Sequence, residues 1–356
     1  MKKQHQKEVK CVVWDLDDTL WQGVLLESDE VQLKPKIKDI IAGLDARGIL
    51  QSIASKNNYP DVMNKLREFG IEQYFLYPEI HWNPKSDSIL NIQKNLNIGL
   101  ETILFIDDQA FERDEVFSSL PEVETVDARE YGNLLVRERL NPKYITSDSA
   151  RRRLMYLEDM QRHQDEVAYK GPREEFLASL QLRFVIAEAG EEDLKRAEEL
   201  TLRTNQLNTT GRTYDYEALR SIIASDTHKL YVCELTDKYG SYGKIGLALI
   251  EIEPAHWRLK LLLMSCRVMS RSVGSVFLSF IMQQTRRDGK KLLAEFKQTD
   301  RNKAMYATYR FANFNELTND GQGNILLEND LSVIQKLPRY IDLITPERAV
   351  PAAQQP

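Results

Sequence analysis

At 356 residues the chain is long enough for two ordinary domains, and its 42% hydrophobic and 29% charged residues describe a globular protein rather than a disordered one. The formal net charge of −6 gives no electrostatic reason to expect nucleic acid as a partner, and no apolar run approaches the roughly 20 residues that a membrane helix needs. The charged opening Met1-Lys2-Lys3-Gln4-His5-Gln6 lacks the apolar core of a secretion signal, so cytoplasmic residence is expected.

Short β-branched runs alternate with helix-like segments over the first 130 residues. Cys11-Val12-Val13-Trp14 predicts a strand that stops at Asp15-Leu16-Asp17-Asp18-Thr19. Ile49-Leu50-Gln51-Ser52-Ile53-Ala54 predicts a second, ending at Ser55, and Thr102-Ile103-Leu104-Phe105-Ile106 a third, ending at Asp107-Asp108. A helix over 61–69, closed by Gly70, lies between the second and third strands. This order predicts an α/β domain over 1–140, built on a doubly wound parallel sheet. Ligands bind such sheets beyond the carboxyl ends of the strands, so Asp15, Asp17, Ser55, Asp107 and Asp108 should converge on one rim.

Residues 141–180 turn charged and helix-prone, and read as a helical connector. A mixed α+β domain is expected over 181–345. It opens with the strand Leu182-Arg183-Phe184-Val185-Ile186, continues with a helix over 191–204, and carries later strands at 230–234, 244–251, 257–265 and 291–296. Helices are expected at 273–287 and 302–309, and the tail 346–356 should be disordered. The three cysteines, Cys11, Cys233 and Cys266, form no CxxC, and the five histidines form no HExxH pair, which speaks against zinc and a disulfide framework.

Paired carboxylates just past a buried strand repel one another unless a proton or a cation intervenes. Magnesium suits such a site, since it takes oxygen ligands. A lone Asp-x-Asp also serves to cap a helix. The combination here is more specific. Val12-Val13-Trp14-Asp15-Leu16-Asp17-Asp18-Thr19-Leu20, Ser55, Lys85 after Asn83-Pro84, and Asp107-Asp108 fall in order, and together they resemble the four motifs of the haloacid dehalogenase (HAD) superfamily of phosphatases. The resemblance implies that Asp15 is the nucleophile, that Asp17 is the general acid and base, and that Ser55 and Lys85 bind the phosphoryl oxygens. It further implies Mg2+ held by Asp15, Asp107 and the backbone carbonyl of Asp17, with Asp108 orienting Lys85 or ligating through water. A small flap over 21–31 in a capless site is implied as well.

Longer stretches narrow the resemblance. Asp17 to Gly23, Ala54 to Asn58, Trp82 to Lys85 and Phe105 to Glu112 look like the FkbH-like family, as do Leu202 to Asn208 and Ser265-Cys266-Arg267-Val268. That family implies 1,3-bisphosphoglycerate as substrate and transfer of a glyceryl unit to the phosphopantetheine thiol of an acyl carrier protein, as in methoxymalonyl extender units for polyketides. The second domain separately resembles a GNAT-like acyltransferase fold. Its strand ending at Met264-Ser265-Cys266-Arg267 leads through a loop into a helix, the corner that binds coenzyme A phosphates in that fold. Arg267, Ser270 and Ser272 stand where the pattern R-x-x-G-x-G has arginine and two glycines, which disfavours a coenzyme A diphosphate and suits the single phosphate of a carrier arm.

Cys266 is the residue expected to hold the acyl group, its alternative being a buried structural thiol. Asn205 and Asn208 read either as substrate-binding amides or as a helix end and turn. Asn302 and Tyr309 match the GNAT helix that flanks the pantetheine arm. Arg271, Arg286, Arg287, Lys290 and Lys291 read as solvated surface, or as a contact for an acidic carrier. His256 is a weak candidate base, since it lies ten residues before Cys266, roughly 33 Å along an extended strand. Two rival functions remain: a phosphatase fused to an acetyl-coenzyme A-dependent N-acyltransferase, and a non-catalytic module that docks carrier proteins.

Overall fold

A computed structural model describes residues 7–28, 30–204 and 206–345. The expected disordered tail and Asn205 therefore lie outside the described residues. The chain divides into two compact units, 1–157 and 158–356, and the division falls inside the segment expected as a connector. Among the described residues no helix is long and apolar enough to cross a membrane.

The first unit carries strands β1 (Cys11–Trp14), β2 (Trp21–Gln22), β3 (Gln32–Leu33), β4 (Leu50–Ser55), β5 (Glu79–Ile80), β6 (Ile103–Asp107) and β7 (Glu124–Asp127). Its main helices are α1 (Ile37–Ala46), α2 (Tyr59–Glu68), α3 (Lys85–Leu96) and α4 (Ala110–Ser119). Five strands form one parallel sheet in the order β5-β4-β1-β6-β7. Every residue of β1, β4 and β6 is buried, as a sheet covered on both faces requires. The chain winds outward from β1 through β4 to β5, then returns to the other side for β6 and β7. The end of β1 is therefore a topological switch point. Strands β2 and β3 form a separate antiparallel ribbon directly after the first acidic motif, in the place of the expected flap.

Helices α5 (Ser147–Ala150), α6 (Arg152–Ala168) and α7 (Arg173–Ser179) follow. The second unit then holds β8 (Leu182–Glu188), α8 (Leu194–Arg203), α9 (Tyr216–Ile223), β9 (His228–Asp237), β10 (Gly240–Ile252), β11 (His256–Met264), α10 (Val273–Arg287), β12 (Lys291–Lys297), α11 (Lys303–Phe311), β13 (Asn315–Asn319), β14 (Asn324–Asn329) and β15 (Ile341–Ile344). Eight strands make one mixed sheet, β13-β14-β12-β11-β10-β9-β8-β15. Strands β11 and β12 run parallel and pair only from His256–Leu259 against Lys291–Ala294. Beyond that they part, and the segment 207–209 fills the gap. Met264 N donates to Leu207 O at 2.9 Å, Thr209 N to Leu262 O at 3.0 Å, and Lys297 N to Thr209 O at 2.9 Å.

Candidate functional site

The strand ends of the first unit bring their polar residues together. Asp15 stands one residue past β1, where its backbone N–H continues the ladder to Ile106 O at 2.9 Å. Asp107 closes β6, and Lys85 opens α3 after Pro84. The Lys85 ammonium lies 2.6 Å from Asp15 Oδ1 and 2.5 Å from Asp107 Oδ2, and all three side chains are buried. Ligand oxygens of Asp15, Asp107 and Asp108 all gather within 4.8 Å of one another. Ser55 is buried at the end of the neighbouring β4.

One ammonium among three carboxylates leaves negative charge uncompensated. Burial pushes the Asp15 carboxyl up, against the pull of Lys85. Asp107 is pushed up to about 6 by burial and by the charge of Asp15. Asp108 is raised by burial and by Asp107. Burial opposes the Lys85 charge, yet Asp15 and Asp107 outweigh it and raise the ammonium. Crowded hard oxygen donors of this kind fit a divalent cation, which would relieve the repulsion that protonation otherwise relieves.

Asp17 is held differently. Its Oδ1 accepts from Trp21 Nε1 at 2.8 Å and Leu25 N at 3.1 Å, and its Oδ2 accepts from Asn57 Nδ2 at 3.0 Å. The ribbon β2–β3 thus fixes Asp17 through Trp21. Thr19 Oγ1 accepts from Asp108 N at 3.0 Å. Gln109 N donates to Asp107 Oδ1 at 2.8 Å, and Arg113 Nη1 to the Asp107 carbonyl at 2.7 Å. Glu115 accepts from Ser86 N at 3.2 Å and Ser86 Oγ at 2.5 Å, which pins the start of α3 beside Lys85. The Lys34 ammonium donates to the Asp18 carbonyl; burial holds it below its ordinary value while Asp18 and Asp108 pull the other way.

Asn57, Thr19 and Trp21 fall inside the motifs read from the sequence but carry no role of their own there, and Lys34 is not singled out. The signal that could have found Asn57 and Thr19 is their position, three and five residues past the predicted runs that end at Ala54 and Trp14.

In the second unit, Cys266 is half-buried and opens a 3₁₀ turn, Cys266–Val268, after β11. Arg267 Nη2 donates to the Tyr242 carbonyl at 3.0 Å. Ser272, at the start of α10, adopts φ 62°, the left-handed conformation that glycine takes without strain. Its Oγ accepts from Tyr340 OH at 3.0 Å. His256 pairs with Glu253 at 2.9 Å at the far end of β11 from Cys266. Cys11 and Cys233 are buried inside strands, and burial pushes both thiols up.

Three expectations are corrected here. Asn208 and Asn302 are buried, and their side-chain amides are spent on backbone rather than presented to a substrate. Asn208 Oδ1 accepts from Thr210 N and Gly211 N, while Asn302 Nδ2 donates to Asn208 O at 3.0 Å and Lys297 O at 2.8 Å. Both amides hold the backbone that bridges β11 and β12. Arg271 is not solvated surface: it is buried and paired with Glu166 at 3.0 Å. It joins a buried charged cluster in which Arg162 grips Asp237 with two hydrogen bonds, at 2.7 and 2.9 Å, and stacks 3.9 Å from the Tyr242 ring centre.

Residues 5–115 match the family described as haloacid dehalogenase-like hydrolase. No curated protein matches the chain. Among solved structures, the chain is similar to the N-terminal part of a Bacteroides fragilis protein containing a phosphatase domain complexed with Mg. The two share 28% identity over 39% of this chain and 41% of that one, less than half its length, with a TM-score of 0.33. It is also similar to the ribosomal-protein-S18-alanine N-acetyltransferase of Escherichia coli, with 15% identity over 43% of this chain and 97% of that one and a TM-score of 0.34. A third is the PaiA N-acetyltransferase of Thermoplasma acidophilum in complex with coenzyme A, with 14% identity over 41% and 98% and a TM-score of 0.34. The N-terminal part of the chain carries a haloacid dehalogenase-like domain on a parallel sheet, and GNAT-type acetyltransferases are among its fold neighbours.

Proposed function

We propose that the chain is a bifunctional phosphatase and glyceryltransferase that takes 1,3-bisphosphoglycerate, releases phosphate, and loads a glyceryl group onto the phosphopantetheine thiol of an acyl carrier protein. The observation that carries the phosphatase half is the Lys85 ammonium set between Asp15 and Asp107, both buried at the ends of adjacent parallel strands. Asp15 attacks phosphorus; the bond to the leaving oxygen breaks, and Asp17 supplies the proton. Asp17 then takes a proton from the water that hydrolyses the aspartyl-phosphate. Ser55 and Lys85 bind the phosphoryl oxygens. Asp15, Asp107 and Asp108, with the backbone carbonyl of Asp17, would hold Mg2+, which supplies charge neutralisation at the phosphoryl group.

Support for the transfer half is the half-buried Cys266 beside Arg267, with the family resemblance of both halves of the chain. Its thiolate attacks the acyl carbon of 1,3-bisphosphoglycerate, phosphate leaves, and the thioester passes to the carrier thiol. Polyketide extender-unit synthesis of the methoxymalonyl type is the setting this implies. Ser270 and Ser272, standing where the R-x-x-G-x-G pattern has glycines, disfavour the coenzyme A diphosphate of the acetyl-coenzyme A alternative and leave room for the single phosphate of a carrier arm. The test is to incubate the protein with 1,3-bisphosphoglycerate, Mg2+ and a carrier bearing its phosphopantetheine arm, then weigh the carrier. A mass gain of one glyceryl group is expected, and an unmodified carrier contradicts the reading.

A further inference from the structure

The turn that follows β1 is closed around Asp18. Asp18 takes φ 49°, the left-handed region, which a residue with a side chain enters against steric strain. Three contacts keep it there. Its Oδ1 accepts from Gly23 N at 2.9 Å, its N–H donates to Gly23 O at 3.3 Å, and its carbonyl accepts from the Lys34 ammonium. Lys34 leaves the ribbon directly after β3, and its own N–H donates to Leu20 O at 3.1 Å. The Tyr131 ring centre lies 5.4 Å from the ammonium, and the Tyr131 hydroxyl donates to Pro35 O at 3.2 Å. Asp15, Asp108 and Asp127 all act on the Lys34 charge, yet the half-buried ammonium is directed to a carbonyl rather than to a carboxylate. The torsion φ of Asp18 turns the planar Asp17–Asp18 peptide, so it also sets where the Asp17 carbonyl points.

We infer that Lys34 is a positioning residue for the divalent-cation site: it locks Asp18 in the left-handed turn and so aims the Asp17 carbonyl at the space that Asp15, Asp107 and Asp108 share. The inference rests on the phosphatase reading above and adds a role for the ribbon. The ribbon and the residue after it reach the site twice, through Trp21 on the Asp17 side chain and through Lys34 on the backbone of Asp18. Charge alone makes the opposite forecast. An ammonium near three carboxylates competes with a cation for them, so a lysine acting only through its charge would weaken Mg2+ binding, and its removal would tighten it. A carbonyl already in place lets the cation bind without reordering the turn.

The test is Mg2+ binding itself, followed by isothermal titration calorimetry on the full chain after EDTA treatment. Lys34→Met keeps the stem and removes the donor, and its Mg2+ dissociation constant should rise about tenfold or more. Lys34→Arg keeps a charged donor and should stay within about threefold of the wild type. At saturating Mg2+, kcat of Lys34→Met on p-nitrophenyl phosphate should return to within about threefold of the wild type, because the defect lies in holding the cation. If Lys34→Met lacks a native circular dichroism spectrum, Lys34→Gln, polar but shorter, is read in its place with the same expected loss. Binding in Lys34→Met as tight as in the wild type, or tighter, overturns the inference. So does an equal loss in Lys34→Arg, or a kcat that stays low at saturating Mg2+. A wild-type protein that takes up no Mg2+ overturns both the inference and the phosphatase reading, while uptake without phosphate release overturns the phosphatase reading alone.

Discussion

In the first unit, buried parallel strands end together, and the acidic and cationic side chains at those ends face one another. In the second unit, Cys266 stands just past a strand end, the adjoining Arg267 grips the Tyr242 carbonyl, and Asn302 grips the backbone of Asn208 and Lys297. The contrast is between a rim built from crowded charge and a proposed site built around one thiol. Crowded charge leaves a physical signature, raised carboxyls and a shared ammonium, that geometry alone makes legible.

Variants can break this comparison at either end. Cys266→Ala should remove a covalent acyl adduct altogether, read by intact-mass spectrometry after exposure to 1,3-bisphosphoglycerate; an adduct of undiminished size would move the acyl carrier to another residue. Asp15→Asn should cut phosphate release at least about a thousandfold while the circular dichroism spectrum stays native. Loss of folding instead would mean that the acidic rim is structural.

Asp17→Asn should slow turnover by roughly 10²- to 10³-fold, because a positioned acid is lost while its place among Trp21, Leu25 and Asn57 is kept. Turnover within a few-fold of the wild type would remove Asp17 from the chemistry. Asn302→Ala should cost about 1–3 kcal/mol of stability in urea unfolding, with KM for the carrier unchanged. A carrier KM that rises without loss of stability would return Asn302 to the binding surface.

The smallest effect sharpens the electrostatic side. Asp107 is raised to about 6, and Asp15 and Asp108 shift the same way. A raised carboxyl binds its proton more tightly in the folded state than in the unfolded chain. Its contribution to stability is therefore present at low pH and lost as pH rises through the folded value. In EDTA, Tm should fall by roughly 2–6 °C between about pH 4 and about pH 7 from this source, and Mg2+ should reverse the fall. A Tm that rises over this window in EDTA, with no effect of Mg2+, would contradict the crowded-charge picture.

Legibility in the sequence followed the same division. Parallel strands obey a rule of place, so Asp15, Asp17, Ser55, Asp107 and Asp108 could be put on one rim from their places at strand ends, while Lys85 entered through the resemblance to the phosphatase motifs. The groups that orient them could not. Trp21 reaches Asp17 from the ribbon, and Glu112 reaches Lys56 across 56 residues of sequence, so neither contact is visible in local spacing. A mixed sheet has no comparable rule. Asn208 and Asn302 stand 94 residues apart and meet only because β11 and β12 part around the segment between them. Arg271 looked like surface in a basic stretch because its partner Glu166 lies 105 residues away.

Asp15 is the proposed atom donor to phosphorus. Rapid acid quench during turnover of p-nitrophenyl phosphate with Mg2+, followed by peptide mass spectrometry, tests that directly. The peptide containing Asp15 should carry one phosphoryl group, absent in Asp15→Asn. Steady release of phosphate with the label on another residue, or surviving in Asp15→Asn, would contradict it.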